Sequence, residues 1–147
     1  MLENLNLTGV YGLRLDEKTR IVVPSELREE LSDKIQGDFY LLIAPYEKNE
    51  YSAIRVTPYP KEEYERKAEE MNRLQEPGCN KAMFFAQYRS KIDNQGRINI
   101  TKFLADLMGF SLRSDVYVVG NGNYFEIVKL NRTEILEKIF GIKEKPK

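Results

Sequence analysis

Apolar and polar positions alternate weakly from Val10 to Leu15 and again, after the polar run DEKT, from Arg20 to Val23. A period of two predicts extended chain, so these residues read as a hairpin or a strand-turn-strand. Pro24 follows, and in SELREELSDKI the residues Leu27, Leu31 and Ile35 share one helical face, with Ser25 as candidate N-cap and Gly37 as stop. Residues 39–46 and 51–59, rich in Tyr, Ile and Val, predict two strands joined by a charged turn at residues 47–50 and closed by Pro58 and Pro60. Residues 61–75 make a charged amphipathic helix with Tyr64, Ala68, Met71 and Leu74 inward, ended by Pro77 and Gly78.

The same order then returns. AMFFAQYRSKI predicts a strand, DNQG a turn, RINI a strand, and TKFLADLMGF a short helix offering Phe103, Leu104, Leu107 and Met108 for burial. DVYVVG and YFEIVKL flank Asn-Gly-Asn, residues that tolerate the positive φ of a tight hairpin turn. Alternation sends one of Tyr124 and Phe125 inward, which favours a packing role over base stacking. Thr133 to Phe140 predicts a last short helix before a Lys-rich tail expected to fray.

Laying Asp16 on Asp93 also lays Tyr11 on Tyr88, Arg20 on Arg97, Ile21 on Ile98 and Leu27 on Leu104; farther on, Tyr51 and Ile54 match Tyr124 and Ile127 after a change of spacing. This is the signature of a duplicated half-domain. Each half has too little apolar material for a core of its own, so the two are expected to pack together. The expected division is a first half at 7–59, a helical connector at 60–80, a second half at 81–133, and a C-terminal helix with basic tail at 134–147.

Charge narrows the function. The 147 residues carry 23 Lys and Arg against 23 Asp and Glu, so the whole molecule exerts no net pull on a polyanion and any such partner needs a local patch. From Lys81 to Arg113 there are six cations (81, 89, 91, 97, 102, 113) against two acids, and from Arg14 to Arg20 three against two, while acids gather in residues 61–70. That partition predicts one basic face. The chain has no His and a single Cys, Cys79, which removes the commonest metal ligands and the Cys-His nucleophile pair. No metal or small-molecule cofactor is expected. No apolar run approaches a membrane span and the N-terminus does not resemble a leader, so the expectation is cytoplasmic.

Two apolar-flanked turns carry the candidate chemistry, each with an Asp four residues ahead of an Arg: Asp16 with Arg20, Asp93 with Arg97. An Asp at the head of a turn accepts backbone N–H groups and fixes the loop, and Gly96 permits a left-handed backbone before Arg97. Either the arginines merely pair with these caps, or their guanidinium groups address phosphates and guanine edges. A catalytic carboxylate pair is the weaker reading, because exposed turns beside Arg favour ionised caps.

The segments LDEKTRIVVPSELREEL (15–31), IDNQGRINITKFLADLMGF (92–110) and DVYVVGNGNYFEI (115–127) resemble the MraZ family of bacterial transcriptional regulators, over a span from about Tyr11 to Asn131. The resemblance implies a mainly β (α+β) fold with short helices, a double swapped-hairpin barrel of AbrB/MraZ type formed by two internal repeats. It implies a non-enzymatic, nucleoid-associated regulator that binds double-stranded DNA at short direct repeats in promoter DNA, upstream of its own division and cell-wall gene cluster. It also implies a homo-oligomer of ring form. Its DNA-contacting residues would be Arg14, Lys18, Arg20, Arg28, Arg89, Lys91 and Arg97, with Asp16, Asp93 and Gly96 structuring the turns. The chain departs from the family pattern at Thr19, where Gly is usual, at Thr101, where Pro is usual, and at Ala105, where the first copy has Arg28; Gln95 is uncharged where the first copy has Lys18. The competing expectation is a structural or protein-interaction ring module without sequence-specific DNA binding.

Overall fold

The β-branched and aromatic runs form strands and the amphipathic runs form helices, in the computed structural model that describes residues 5–32, 37–46, 51–74 and 79–143. In chain order they are β1 (Val10–Arg14), β2 (Arg20–Val22), α1 (Ser25–Ser32), β3 (Gly37–Tyr46), β4 (Tyr51–Pro60), α2 (Lys61–Asn72), α3 (Cys79–Phe85), β5 (Tyr88–Ser90), β6 (Arg97–Asn99), α4 (Lys102–Met108), β7 (Asp115–Gly120), β8 (Phe125–Val128) and α5 (Arg132–Glu134), which runs into a π-helical turn at Ile135–Ile139. The charged turn at 47–50, the Pro77–Gly78 stop, Ile35 and the Lys-rich end at 144–147 lie outside the described residues.

The expected double barrel does not form. Among the described residues the strands make one open antiparallel sheet, in the order β1-β7-β8-β4-β3-β5, and a separate ribbon of β2 and β6. The sheet ends at β1 and β5, which do not meet, so neither sheet closes. The helices hold almost as many residues as the strands, and the class is mixed α/β rather than mainly β. The physical reason is that the two Asp-headed turns carry the chain off the sheet into a second layer. Helices and ribbon then cover both faces, so apolar surface is buried without closure. Of the two readings for residues 10–23, the strand-turn-strand forms and the hairpin does not: β1 pairs with β7, and β2 with β6.

The principal core lies between one face of the sheet and the layer formed by the ribbon, α1 and α4. Ile21, Ile98, Leu27 and Leu104 there meet Leu41, Ile54, Val56, Val118, Phe125 and Ile127. On the opposite face Tyr40, Tyr59 and Phe84 pack beneath Tyr64, Ala68 and Met71 of α2, and Ala53, Val128 and Leu130 cluster with Ile135 of the C-terminal helical turn. With both faces covered, β8 is buried at all four positions, including Glu126, which accepts a 2.7 Å hydrogen bond from Asn121. Phe125 is fully buried, as alternation predicts for one of the Tyr124–Phe125 pair.

Five local expectations change. Leu74, expected inward on a helix at 61–75, lies past the end of α2 at Asn72 and is exposed. AMFF is helical, because Phe84 on α3 stacks on Tyr64 at 5.1 Å and closes the aromatic cluster; tertiary packing overrides strand propensity there. Ser25 is the first helical residue rather than the cap, and the carbonyl of Pro24 accepts the Arg28 N–H at 3.0 Å. Pro58 and Pro60 lie inside β4, not beyond it; β8 pairs with β4 only between Ala53 and Val56, so past that point β4 has a single neighbour and a missing N–H is tolerated. Phe103 and Leu107 point outward at 56% and 60% exposure while Leu104 and Ala105 take the buried face of α4.

The repeat is written in the strand registers. Tyr11 faces Val118 across β1 and β7, and Tyr88 faces Leu41 across β5 and β3. Ile21 faces Ile98 in the ribbon. The hairpins correct both later matches: the offset that lays Asp16 on Asp93 lays Tyr40 on Tyr117, and since Tyr40 lies opposite Thr57 and Tyr117 opposite Val128, Ile54 is the counterpart of Phe125 and Tyr51 is not that of Tyr124, while Ile54 and Ile127 face each other across β4 and β8.

Candidate nucleic-acid interface

Each Asp-headed turn is stapled in the same way. Asp16 Oδ1 accepts the backbone N–H groups of Lys18 and Arg20 at 2.9 and 2.8 Å, and Oδ2 accepts Arg20 Nε at 2.8 Å. Asp93 Oδ1 accepts those of Gln95 and Arg97 at 2.9 Å each, and Oδ2 accepts Arg97 Nε at 2.9 Å. One carboxylate oxygen therefore shapes the loop and the other orients the arginine, an Nε-directed bond that fixes the plane of the guanidinium.

The ribbon sets both arginines on one surface. Ile21 and Ile98 face each other and point into the core, so Arg20, Val22, Arg97 and Asn99 alternate outward. Arg20 is opposite Asn99 and Arg97 opposite Val22, which makes the two arginines diagonal neighbours, about 7–8 Å apart at the backbone. Their side chains are 24% and 25% exposed.

Partial burial opposes ionisation of Asp16, but hydrogen bonds from Arg20 and Lys18 outweigh it and hold the carboxyl below the ordinary aspartate range. For Asp93 the backbone bond from Arg97 dominates, and the carboxyl again lies low. A depressed folded value means that each carboxylate stabilises its loop above the unfolded-state value and that this contribution is lost as pH falls through the folded one. The loops should therefore stay pinned at neutral pH and loosen only below about pH 4. Carboxyl NMR titration should give both aspartates midpoints below that of a free aspartate. Midpoints at or above it would refute the stapling.

The other expected site residues divide. Lys18 stands exposed at the tip of the first loop. Arg28 is half-buried behind the second loop, against Gly96. Arg14, in register with Asp115 and 3.6 Å from it, ends the β1 row of Val10 and Gly12, whose face is away from the ribbon. Arg89 faces the same way beside Tyr40, 3.7 Å from Asp38, and with Lys91 it lines a cleft of about 460 Å³ that includes Tyr59, Lys61 and Tyr64. The structure thus brings Lys18, Arg20 and Arg97 together, places Arg28 behind them, and does not bring Arg14, Arg89 or Lys91 to that face.

Sequence reasoning missed Asn99. Its side-chain oxygen accepts the Thr101 N–H at 2.8 Å and lies 2.9 Å from Thr19 Oγ1, tying the first loop to β6. The available signal was the alternation in RIN, which puts Asn99 beside Arg97 on the outward face. Thr101, at φ 68°, uses its own N–H in that bond and its hydroxyl to cap α4, two roles that a Pro could not fill.

Among the described residues no helix is long and apolar enough to cross a membrane, and no group of three or more His, Cys, Asp or Glu could hold a metal ion. No family model matches the chain. It is 30% identical over 125 residues to the transcriptional regulator MraZ of Oenococcus oeni, covering 81% of this chain and 78% of that protein. It is 30% identical over 122 residues to the MraZ of Methylococcus capsulatus, covering 81% and 76%. It is 29% identical over 133 residues to that of Kineococcus radiotolerans, covering 86% and 82%. These relatives are named as regulators and not as enzymes. At this identity and coverage, the chain belongs to the MraZ family of transcriptional regulators.

Proposed function

We propose that the outward face of the β2–β6 ribbon, with its two stapled loops, binds double-stranded DNA and that the protein is a sequence-specific transcriptional regulator. The observation that carries this reading is the diagonal placement of Arg20 and Arg97 on one ribbon, each held through Nε by its own aspartate. A major groove admits a two-stranded ribbon, and an arginine already oriented is suited to the O6/N7 edge of guanine. A separation of about 7–8 Å corresponds to about two base-pair steps. Lys18 adds a phosphate contact at the first loop, and Gln95 leaves the second without one.

The finer reading is that the targets are short direct repeats in promoter DNA, upstream of the protein's own division and cell-wall gene cluster. The protein would then act at the nucleoid. It would assemble as a homo-oligomer of ring form, so that several ribbons engage successive repeats and weak single contacts add by avidity. Exposed Phe103, Leu107 and Tyr88, the first in ring contact with the last at 6.2 Å, favour self-association.

Retardation of the gene's upstream DNA across a salt series tests the proposal, alongside the protein's mass in solution. Binding should weaken steeply with salt, and Lys18→Ala should lower the log–log slope by about one per subunit engaged. Binding that is indifferent to sequence and to salt would overturn the reading.

A further inference from the structure

The two departures from the family pattern at Thr19 and Ala105 belong to one place in the fold. A Cβ built on Gly96 would lie 2.5 Å from Arg28 Nη1 and 2.9 Å from Cζ, so the guanidinium of α1 rests directly on the glycine. Arg28 Nε is buried there without a hydrogen bond, which is unlike a cation reaching for solvent or phosphate. The chain entering α1 is bonded to the same glycine, Val23 N–H to Gly96 carbonyl at 2.8 Å.

Across the ribbon the mirror bond runs from Ile100 N–H to the Thr19 carbonyl at 2.9 Å, on the way into α4. Thr19 stands where Gly96 stands, in the same left-handed region at φ 57° against 77°. Ala105 stands on α4 where Arg28 stands on α1, and Ala105 and Thr19 are both buried, at 2% and 8% exposure. A large helix residue over a bare backbone thus has for its counterparts a small buried helix residue and a buried β-branched loop residue. Thr19 adds what Gly96 cannot, a hydroxyl within 2.9 Å of Asn99 Oδ1.

We propose that Gly96–Arg28 and Thr19–Ala105 are two reciprocal fillings of one pseudosymmetric seat, and that Arg28 is a positioning residue that backs the second ribbon loop rather than a DNA contact. Residues 96 and 28 exchange only together, as do 19 and 105. The DNA role of Arg28 rests on the proposed function above, whereas the exchange rule does not.

The test pairs a stability cycle with a DNA measurement. Gly96→Thr alone should lower Tm by about 5 °C or more, and adding Arg28→Ala should restore part of that loss, because the result copies the Thr19–Ala105 pairing of sizes, although Val22 stands where Asn99 serves the Thr19 hydroxyl. Should Gly96→Thr fail to fold, Ala105→Arg supplies the same reading: unstable alone, rescued by Thr19→Gly. A double variant no more stable than its worse parent would overturn the reciprocal filling, whether or not the protein binds DNA. On upstream DNA, Arg28→Ala should weaken binding about three- to tenfold with the salt slope unchanged. A slope lower by about one would make Arg28 a phosphate contact, and unchanged affinity would remove its positioning role; either outcome overturns the assignment.

Discussion

Replacing Arg20 and Arg97 together with Ala should weaken retardation of the upstream DNA by about a hundredfold or more, while leaving the fold in place. Each bidentate contact to a guanine edge is worth about 1–3 kcal/mol of discrimination, and the ribbon carries two. The fold should survive because the loop shape is set by the other carboxylate oxygen: Asp16 Oδ1 and Asp93 Oδ1 hold the backbone N–H groups, and only Oδ2 loses a partner. Thermal unfolding should change little. The double Lys variant keeps the charge but not the planar fork, so it should retain salt-dependent binding and lose preference for its own sequence. Unaltered affinity in the Ala variant, with the loops intact by NMR, would refute the ribbon as the reading surface.

The largest effect on stability is expected at Phe125. This ring is fully buried on β8, in register with Val56 on one side and Gly120 on the other, and it meets Phe39 edge-on at 6.3 Å. Phe125→Ala should cost about 3–5 kcal/mol, from lost transfer energy and from a cavity that two covered faces prevent from collapsing. The equally aromatic Phe103, 56% exposed on α4, should change the unfolding energy of the separated subunit by no more than about 0.5 kcal/mol on truncation. Urea unfolding of the two variants measures both. Similar midpoints would mean that the sheet and ribbon do not enclose Phe125 as described.

The sequence carried the strands and the turns well because their signals are local. Asn-Gly-Asn makes the β7–β8 hairpin, and the Asp-x-x-x-Arg pattern folds into the stapled loop through bonds that span no more than four residues. What was not legible is set by partners distant in the chain. Nothing local in AMFF says that Phe84 will stack on Tyr64, and nothing in Val10–Arg14 says that its neighbour is β7 rather than β2. Barrel closure was an expectation of resemblance, and no residue pattern could have tested it. The faces of Arg14 and Arg89 likewise depend on the registers of β1 with β7 and of β5 with β3, so their charge was visible in the sequence but their direction was not.

The crossed pairing of the halves governs how the chain can be made. β2 waits for β6, and the Thr19–Asn99 bond joins residues 80 apart. At a translation speed of about 5–20 residues per second, the first half leaves the ribosome several seconds before its partner strands exist. During that interval Leu15, Ile21 and Leu27 have no lid, and such distant closures slow the search for the native state. Synthesis should therefore be the moment at which this regulator is most exposed to aggregation and most dependent on holding by chaperones.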